Sequence, residues 1–155
     1  MKFQFTANRF ILDWIKPNKE FLDLACGKGE LLDYAKSIGC EVNGLDIKSD
    51  YRDARYHDLN KSLPFKKESF DIVTCIDSLE HITNVSQVFT EVHRILRPNG
   101  TFIVTIPNSR WYRAKHTSFF TYRYLKELIN YANFSIAGER HFIGIPRVNR
   151  YFMFR

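Results

Sequence analysis

The sequence predicts a doubly wound α/β sandwich: a mostly parallel sheet of about seven strands, the last antiparallel, with helices on both faces. Three observations predict it. Strand-like and helix-like segments alternate along the chain. The first strand-like run, residues 21–25, enters a glycine loop and then a helix. The last two strand-like runs flank a connection short enough for an antiparallel return.

Residues 21–25 form a short apolar run, and residues 30–37 follow with helical spacing at Leu31, Leu32 and Ala35, stopped by Gly39. Residues 42–45 read as a second strand closed by Asp46, residues 55–57 as a short third, and residues 70–76 as a fourth. Asn84 or Ser86 caps a helix whose apolar face is Val85, Val88, Phe89, Val92 and Ile95, and Pro98-Asn99-Gly100 is expected to end it. Residues 101–106 are rich in β-branched side chains and read as a fifth strand. Thr121 caps a further helix carrying Tyr124, Leu125, Leu128, Ile129 and Ala132, which Asn133 terminates in the left-handed conformation. Two late strands, residues 135–142 and 151–154, are joined through Gly144 and Pro146, residues with turn chemistry.

The 155 residues suit one domain, 1–155, with no repeat, linker or low-complexity tract. No apolar run approaches the roughly 18 residues of a membrane-spanning helix, and the start lacks the apolar stretch of a signal peptide. Three cysteines, Cys26, Cys40 and Cys75, are too few and too irregularly spaced for a disulfide framework or a zinc site. Together these features point to a cytoplasmic protein with reduced thiols. The formal charge of +6 favours an anionic partner without choosing among metabolite, nucleic acid and lipid headgroup.

Ligands of such sheets bind at the carboxyl ends of the strands, here after Leu24, Leu45, His57, Cys75 and Ile106. After the first strand stand Asp23-Leu24-Ala25-Cys26-Gly27-Lys28-Gly29, whose glycines permit close backbone approach to a ligand or simply a tight turn. After the second stands Asp46, 17 positions beyond Gly29, where an acidic residue accepts the hydroxyls of a ribose. On one βαβ unit the two features point to a nucleoside. A dinucleotide fits less well, because Leu32 occupies the position of the third glycine in the pyrophosphate fingerprint.

At residues 21–29 the chain resembles the class I methyltransferases, with Ala25 where that family usually has a further glycine. The resemblance continues through Asp58-Leu59-Asn60-Lys61-Ser62-Leu63-Pro64-Phe65, Ser69-Phe70-Asp71-Ile72-Val73 and Ser78-Leu79-Glu80-His81-Ile82. It extends to Glu91, Arg94-Ile95-Leu96-Arg97-Pro98-Asn99-Gly100, Ile106-Pro107-Asn108 and His116-Thr117-Ser118-Phe119-Phe120-Thr121. Within the family it looks like the small-molecule group that includes ubiquinone- and sugar-pathway enzymes.

The resemblance implies a Rossmann-like fold and S-adenosylmethionine as cofactor. Asp23 and the backbone of Ala25, Cys26, Gly27 and Gly29 would hold its methionine end, and Asp46 its ribose. Asp58 would accept from the adenine amino group, the Leu59 amide would complete the base edge, Ile47 would touch the ring, and Cys75 would lie beside the sulfonium. Candidate general bases are His116, His81 and Asp77. Asp77, Glu80 and His81 resemble the magnesium cluster of some ubiquinone-pathway members, but Asp replaces the usual Glu and no metal is expected.

Two departures stand out. Only 11 residues separate Asp46 from Asp58, too few for the usual helix between the second and third strands, so one flank of the adenine site should be thin. No inserted cap domain is visible, and residues 107–120, dense in basic and aromatic side chains, are expected to act as the lid.

The expected activity is methyl transfer to oxygen, less readily nitrogen, of a small-molecule, sugar-like or lipid-precursor acceptor. The alternatives are a non-catalytic cofactor-binding module, an RNA or protein methyltransferase and, least favoured, a nicotinamide-dependent oxidoreductase. A homodimer is one way to complete an open site.

Overall fold

The computed structural model describes residues 10–107, 121–141 and 149–154. Seven strands form one sheet: β1 (Glu20–Leu24), β2 (Glu41–Asp46), β3 (Ala54–Tyr56), β4 (Phe70–Cys75), β5 (Leu96–Pro107), β6 (Ile136–His141) and β7 (Asn149–Phe154). Their order is β3-β2-β1-β4-β5-β7-β6. Pairs β3–β2, β2–β1, β1–β4 and β4–β5 are parallel, and β7 runs antiparallel to both β5 and β6. The chain order reverses between β1 and β4, and the crevice at their carboxyl ends is where such a sheet takes a ligand.

Alternation along each strand feeds two cores. Leu22, Leu24, Val73, Cys75, Phe102 and Val104 face one side, where they meet α2 (Val85–Ile95) and α3 (Tyr122–Tyr131). Phe21, Ile72 and Ile103 face the other, packing with Leu32 and Ala35 of α1 (Glu30–Ser37) and with Ile11 and Ile15. Helices thus cover both faces, as the alternating pattern requires. The segment supplying Ile11 and Ile15, helical at residues 10–12 where the described residues begin, is not among the elements expected from the sequence.

The helix boundaries follow from local chemistry. All five apolar-face residues of α2 are buried, and Phe89 sits edge-on to Phe102 with centroids 5.4 Å apart. Of the two candidate caps, Asn84 holds the position, its side-chain oxygen accepting from the Gln87 amide at 3.3 Å. Both α1 and α3 end in Schellman geometry. Gly39 at φ 85 lets the Cys40 amide reach the Ala35 carbonyl at 3.0 Å, and Asn133 at φ 58 lets the Phe134 amide reach Ile129 at 2.9 Å.

One boundary differs from expectation. Helix α2 ends at Ile95, and β5 begins at once with Leu96, so Pro98-Asn99-Gly100 does not end the helix but lies within the strand as an irregularity. Leu96 pairs with Phe70 and Thr101 with Ile72, so the intervening residues bulge out, with Asn99 at φ 64. Asp71 anchors this bulge, accepting from Arg97 at 2.9 Å and from the Glu20 amide at 3.0 Å.

A second family signature also proves structural. Arg94 donates to Glu91 and to the carbonyls of Leu63 and Phe65, while Glu91 accepts from the Leu63 amide at 2.7 Å. Together they clamp the segment after β3 onto α2.

Between β2 and β3 there is no helix, as the spacing predicts. Residues 47–53 instead form a strap along α1. Within it the Tyr51 ring lies over Gly29 and packs against the same apolar cluster as Leu32.

Candidate active site

The loop after β1 turns sharply, with Ala25, Gly27 and Gly29 at φ 57, 53 and 76. A left-handed alanine is sterically costly, and such strain concentrates where a loop serves a ligand. Three amides of this loop are engaged by the protein itself, two of them by the end of β2. Cys26 donates to the Leu45 carbonyl at 3.2 Å, Gly29 to Cys26 at 2.9 Å, and Gly27 to the Asp46 carboxylate at 2.9 Å. These three amides thus hold the loop in shape.

The two glycines differ in purpose. A side chain at Gly27 would project into open space, leaving room there for a ligand. One at Gly29 would collide with the Tyr51 ring, so this glycine makes room for the protein's own strap.

Asp46 closes β2 with both oxygens engaged, Oδ2 by Gly27 and Oδ1 by the Lys48 amide at 2.7 Å. A carboxylate offers about four acceptor sites, so about two remain for hydroxyl donors. Beside it Ile47 is 53% exposed, an apolar side chain at the carboxyl end of β2.

Asp23 lies beneath the loop, only 4% exposed, and accepts from Thr74 Oγ1 at 2.6 Å. Burial pushes its carboxyl up to about 7; the Thr74 hydrogen bond opposes the rise and the nearby Asp46 charge adds to it. Near neutrality it is poised between acid and carboxylate, and an approaching cation would favour the carboxylate.

Asp58 follows β3 and is held ionised by the Asn60 amide, at 3.0 Å, and side chain, at 2.9 Å. Asn60 in turn accepts from the amides of Thr83 and Asn84, tying this loop to the start of α2. Leu59 is buried in the core beside it. His57, expected only as the end of the third strand, has a buried Nε2 with no hydrogen-bond partner among the described residues.

Cys75 ends β4 fully buried, with its thiol pushed well up, first by burial and then by Asp23. Cys26 is likewise raised to about 11, mainly by burial. Both behave as small apolar residues rather than nucleophiles.

Asp77 is exposed at the carboxyl end of β4, in the left-handed region at φ 49. Thr105 of β5 fixes it twice: the Thr105 hydroxyl donates to Asp77 Oδ1 at 2.7 Å and accepts from the Asp77 amide at 2.6 Å. Glu80 and His81 lie on the following 3-10 turn (Leu79–His81), Glu80 buried and His81 exposed. Among the described residues no three such side chains converge on a metal position. His116 and most of the expected lid lie outside the described residues. No helix among the described residues is long and apolar enough to cross a membrane.

The glycine loop, Asp46, Asp58 and Asp77 thus meet at one edge of the sheet. Thr74, Thr105, Ser49 and Tyr51 complete it and were not foreseen, since a lone hydroxyl residue carries no spacing signal.

Comparison with known proteins identifies the family. A family model described as a methyltransferase domain matches residues 5–137. A ubiquinone biosynthesis O-methyltransferase of Dechloromonas aromatica is 30% identical over 123 residues, covering 65% of this chain and 52% of that protein. The chain spans about half the length of the curated relatives it matches. An S-adenosylmethionine-dependent methyltransferase from Mesorhizobium loti superimposes with a TM-score of 0.82 at 18% identity, covering 98% of this chain and 97% of that one. A Burkholderia thailandensis 1,6-didemethyltoxoflavin-N1-methyltransferase, solved with S-adenosylhomocysteine, gives 0.77 at 17% identity, with 96% and 76% covered. The chain belongs to the methyltransferase-domain family, the class I S-adenosylmethionine-dependent methyltransferases.

Proposed function

We propose that this protein transfers the methyl group of S-adenosylmethionine to an oxygen of a small-molecule acceptor. The observation that carries the cofactor reading is the junction of Gly27 with Asp46. Open space above a left-handed glycine adjoins a carboxylate with acceptor sites to spare. The acceptor class rests on relatives named as ubiquinone biosynthesis O-methyltransferases.

The residues present fit the cofactor. Asp46 accepts the ribose hydroxyls, Ile47 covers one face of the adenine, and Asp58 with the Leu59 amide reads its edge. Buried Asp23, whose carboxyl is easily ionised by a neighbouring cation, suits the ammonium of the methionine end. Ala25, Cys26, Gly27 and Gly29 shape the loop around that end, and Cys75 forms an inert wall.

The cofactor brings a methyl group already activated on a positively charged sulfur. The protein's task is alignment of an acceptor with that methyl and removal of the acceptor's proton. Asp77 is the base this reading favours, because Thr105 holds its carboxylate at the exposed edge. His81 and His116 are the other two candidates. A screen of quinol, catechol, sugar and carboxylic-acid acceptors with labelled S-adenosylmethionine tests the reading; labelled product in none of the classes, from a protein that binds S-adenosylhomocysteine, would assign it to a binding module instead.

A further inference from the structure

The strap from β2 to β3 contacts the glycine loop and α1 through alternate residues, 49, 51 and 53. The Ser49 hydroxyl donates to the Gly27 carbonyl at 2.6 Å, the Tyr51 hydroxyl donates to Asp33 at 2.5 Å, and Asp53 accepts from Lys36 at 3.0 Å. The partners advance along the chain, 27, 33 and 36, as the strap advances through 49, 51 and 53. The strap therefore runs alongside the glycine loop and α1, in the same direction, with a bend at residues 47–48 and a turn at residues 52–53. Ser49 also accepts from the Tyr51 amide at 3.1 Å, so the first two contacts are joined to each other.

These contacts are unequal. The Lys36–Asp53 pair is an exposed ion pair far from the glycine loop and adds little. Ser49 bonds the loop itself, at the residue whose amide is held by Asp46. Gly27 is thus gripped on both sides of its Cα, its N–H by Asp46 and its C=O by Ser49. Tyr51 packs its ring into the space that Gly29 leaves and anchors its hydroxyl one helical turn further on. A parallel crossover ordinarily needs a dozen or more residues and a helix to cover the sheet. Here seven residues do the covering, and they do it by holding the cofactor loop.

We propose that Ser49 and Tyr51 are positioning residues for the cofactor. They fix the left-handed glycine loop in its binding geometry, so that a strap in place of the usual helix keeps the nucleoside site preorganised. The inference rests on the cofactor reading above. In a preorganised site the ordering cost is met before the ligand arrives, so loosening the loop weakens binding without removing any contact to the ligand.

The test compares the wild-type chain with Ser49→Ala, Tyr51→Phe and, as a surface control on α3, Arg123→Ala. S-adenosylhomocysteine affinity is measured by calorimetry, melting temperature by scanning calorimetry, and amide exchange is followed at residues 25–29. The expected result is that Ser49→Ala and Tyr51→Phe each weaken binding roughly three- to tenfold, as loss of one hydrogen bond of ordinary strength implies. Their melting temperatures should stay near the wild-type value, exchange in the loop should quicken, and Arg123→Ala should match wild type. If wild type binds and both variants bind as tightly, the positioning role is overturned while the cofactor reading stands. Weaker binding accompanied by a matching fall in melting temperature would make the strap a structural cover only. Absence of S-adenosylhomocysteine binding by the wild-type chain would overturn both.

Discussion

The Gly27 amide donates to Asp46 Oδ2 at 2.9 Å, joining the glycine loop after β1 to the acid at the end of β2. Under the proposed function the carboxylate has two tasks, holding the loop and receiving the ribose. Asp46→Ala should lose both at once. Hydrogen bonds to a charged acceptor contribute about 1.5–3 kcal/mol, so S-adenosylmethionine and S-adenosylhomocysteine should each bind roughly 10- to 150-fold more weakly. Calorimetry that finds unchanged affinity would remove Asp46 from the site.

Asp77 and Thr105 should separate turnover from cofactor binding. Asp77→Asn keeps a hydrogen-bonding side chain but cannot take a proton, and loss of a general base costs roughly a hundredfold or more in turnover. Thr105→Val removes the hydroxyl that orients Asp77 and should have a smaller effect of the same kind, about tenfold. Affinity for S-adenosylhomocysteine should be unchanged in both. A loss of affinity equal to the loss of turnover would place the pair in the cofactor wall.

Activity should also persist in EDTA. Asp77 is engaged by Thr105, and buried Glu80 and exposed His81 occupy different environments on the turn that follows. The electrophile moreover belongs to the cofactor and needs no Lewis acid. Initial rates measured with chelator, then with added magnesium, check this; loss followed by full recovery would restore a metal role to the three residues.

Much of the fold was legible because its signals are periodic. The face Val85, Val88, Phe89, Val92 and Ile95 has helical spacing, and each member is buried. Asn133 and Gly39 announce their helix ends by tolerating a positive φ. The bulge at Pro98-Asn99-Gly100 was misread as a helix end because the same residues serve turns and bulges alike, and only the pairing of Leu96 with Phe70 distinguishes them. At the site, Asp46 was visible from its spacing to the glycines. Thr74, Ser49 and Tyr51 were not, since their importance arises from contacts across the chain, such as Thr74 with Asp23, that no local pattern encodes.

Arg94 should matter to stability more than to chemistry. Its guanidinium satisfies Glu91 and the carbonyls of Leu63 and Phe65, and it holds the Glu91 carboxyl below its usual range. Arg94→Met keeps the apolar stem but leaves these acceptors without their donor. The expected cost is about 2–3 kcal/mol, or a fall of roughly 4–12 °C in melting temperature for a domain of this size. Scanning calorimetry checks it, and S-adenosylhomocysteine affinity measured well below the melting point should stay within twofold of wild type.

Asp23 should make cofactor binding depend on pH. Its folded-state value near 7 lies above the 3.8 of an unperturbed aspartate, so the folded chain holds this proton more tightly than the unfolded chain. The group therefore favours folding fully only below about pH 4, and that contribution is lost as pH rises from there to about 7. Binding runs the other way. The methionine ammonium stays protonated throughout this range and favours ionised Asp23, so the proton must leave before or as the cofactor binds. Affinity for S-adenosylhomocysteine should weaken roughly tenfold from pH 8 to pH 6, with proton release detectable in buffers of different ionisation enthalpy. Asp23→Asn should abolish that dependence and bind weakly at every pH. Thr74→Val removes the hydrogen bond that stabilises the carboxylate, so it should move the midpoint to higher pH. A flat profile in the wild-type chain would mean that Asp23 does not face the ammonium, and a Thr74→Val midpoint at lower pH would reverse the assigned direction of that hydrogen bond.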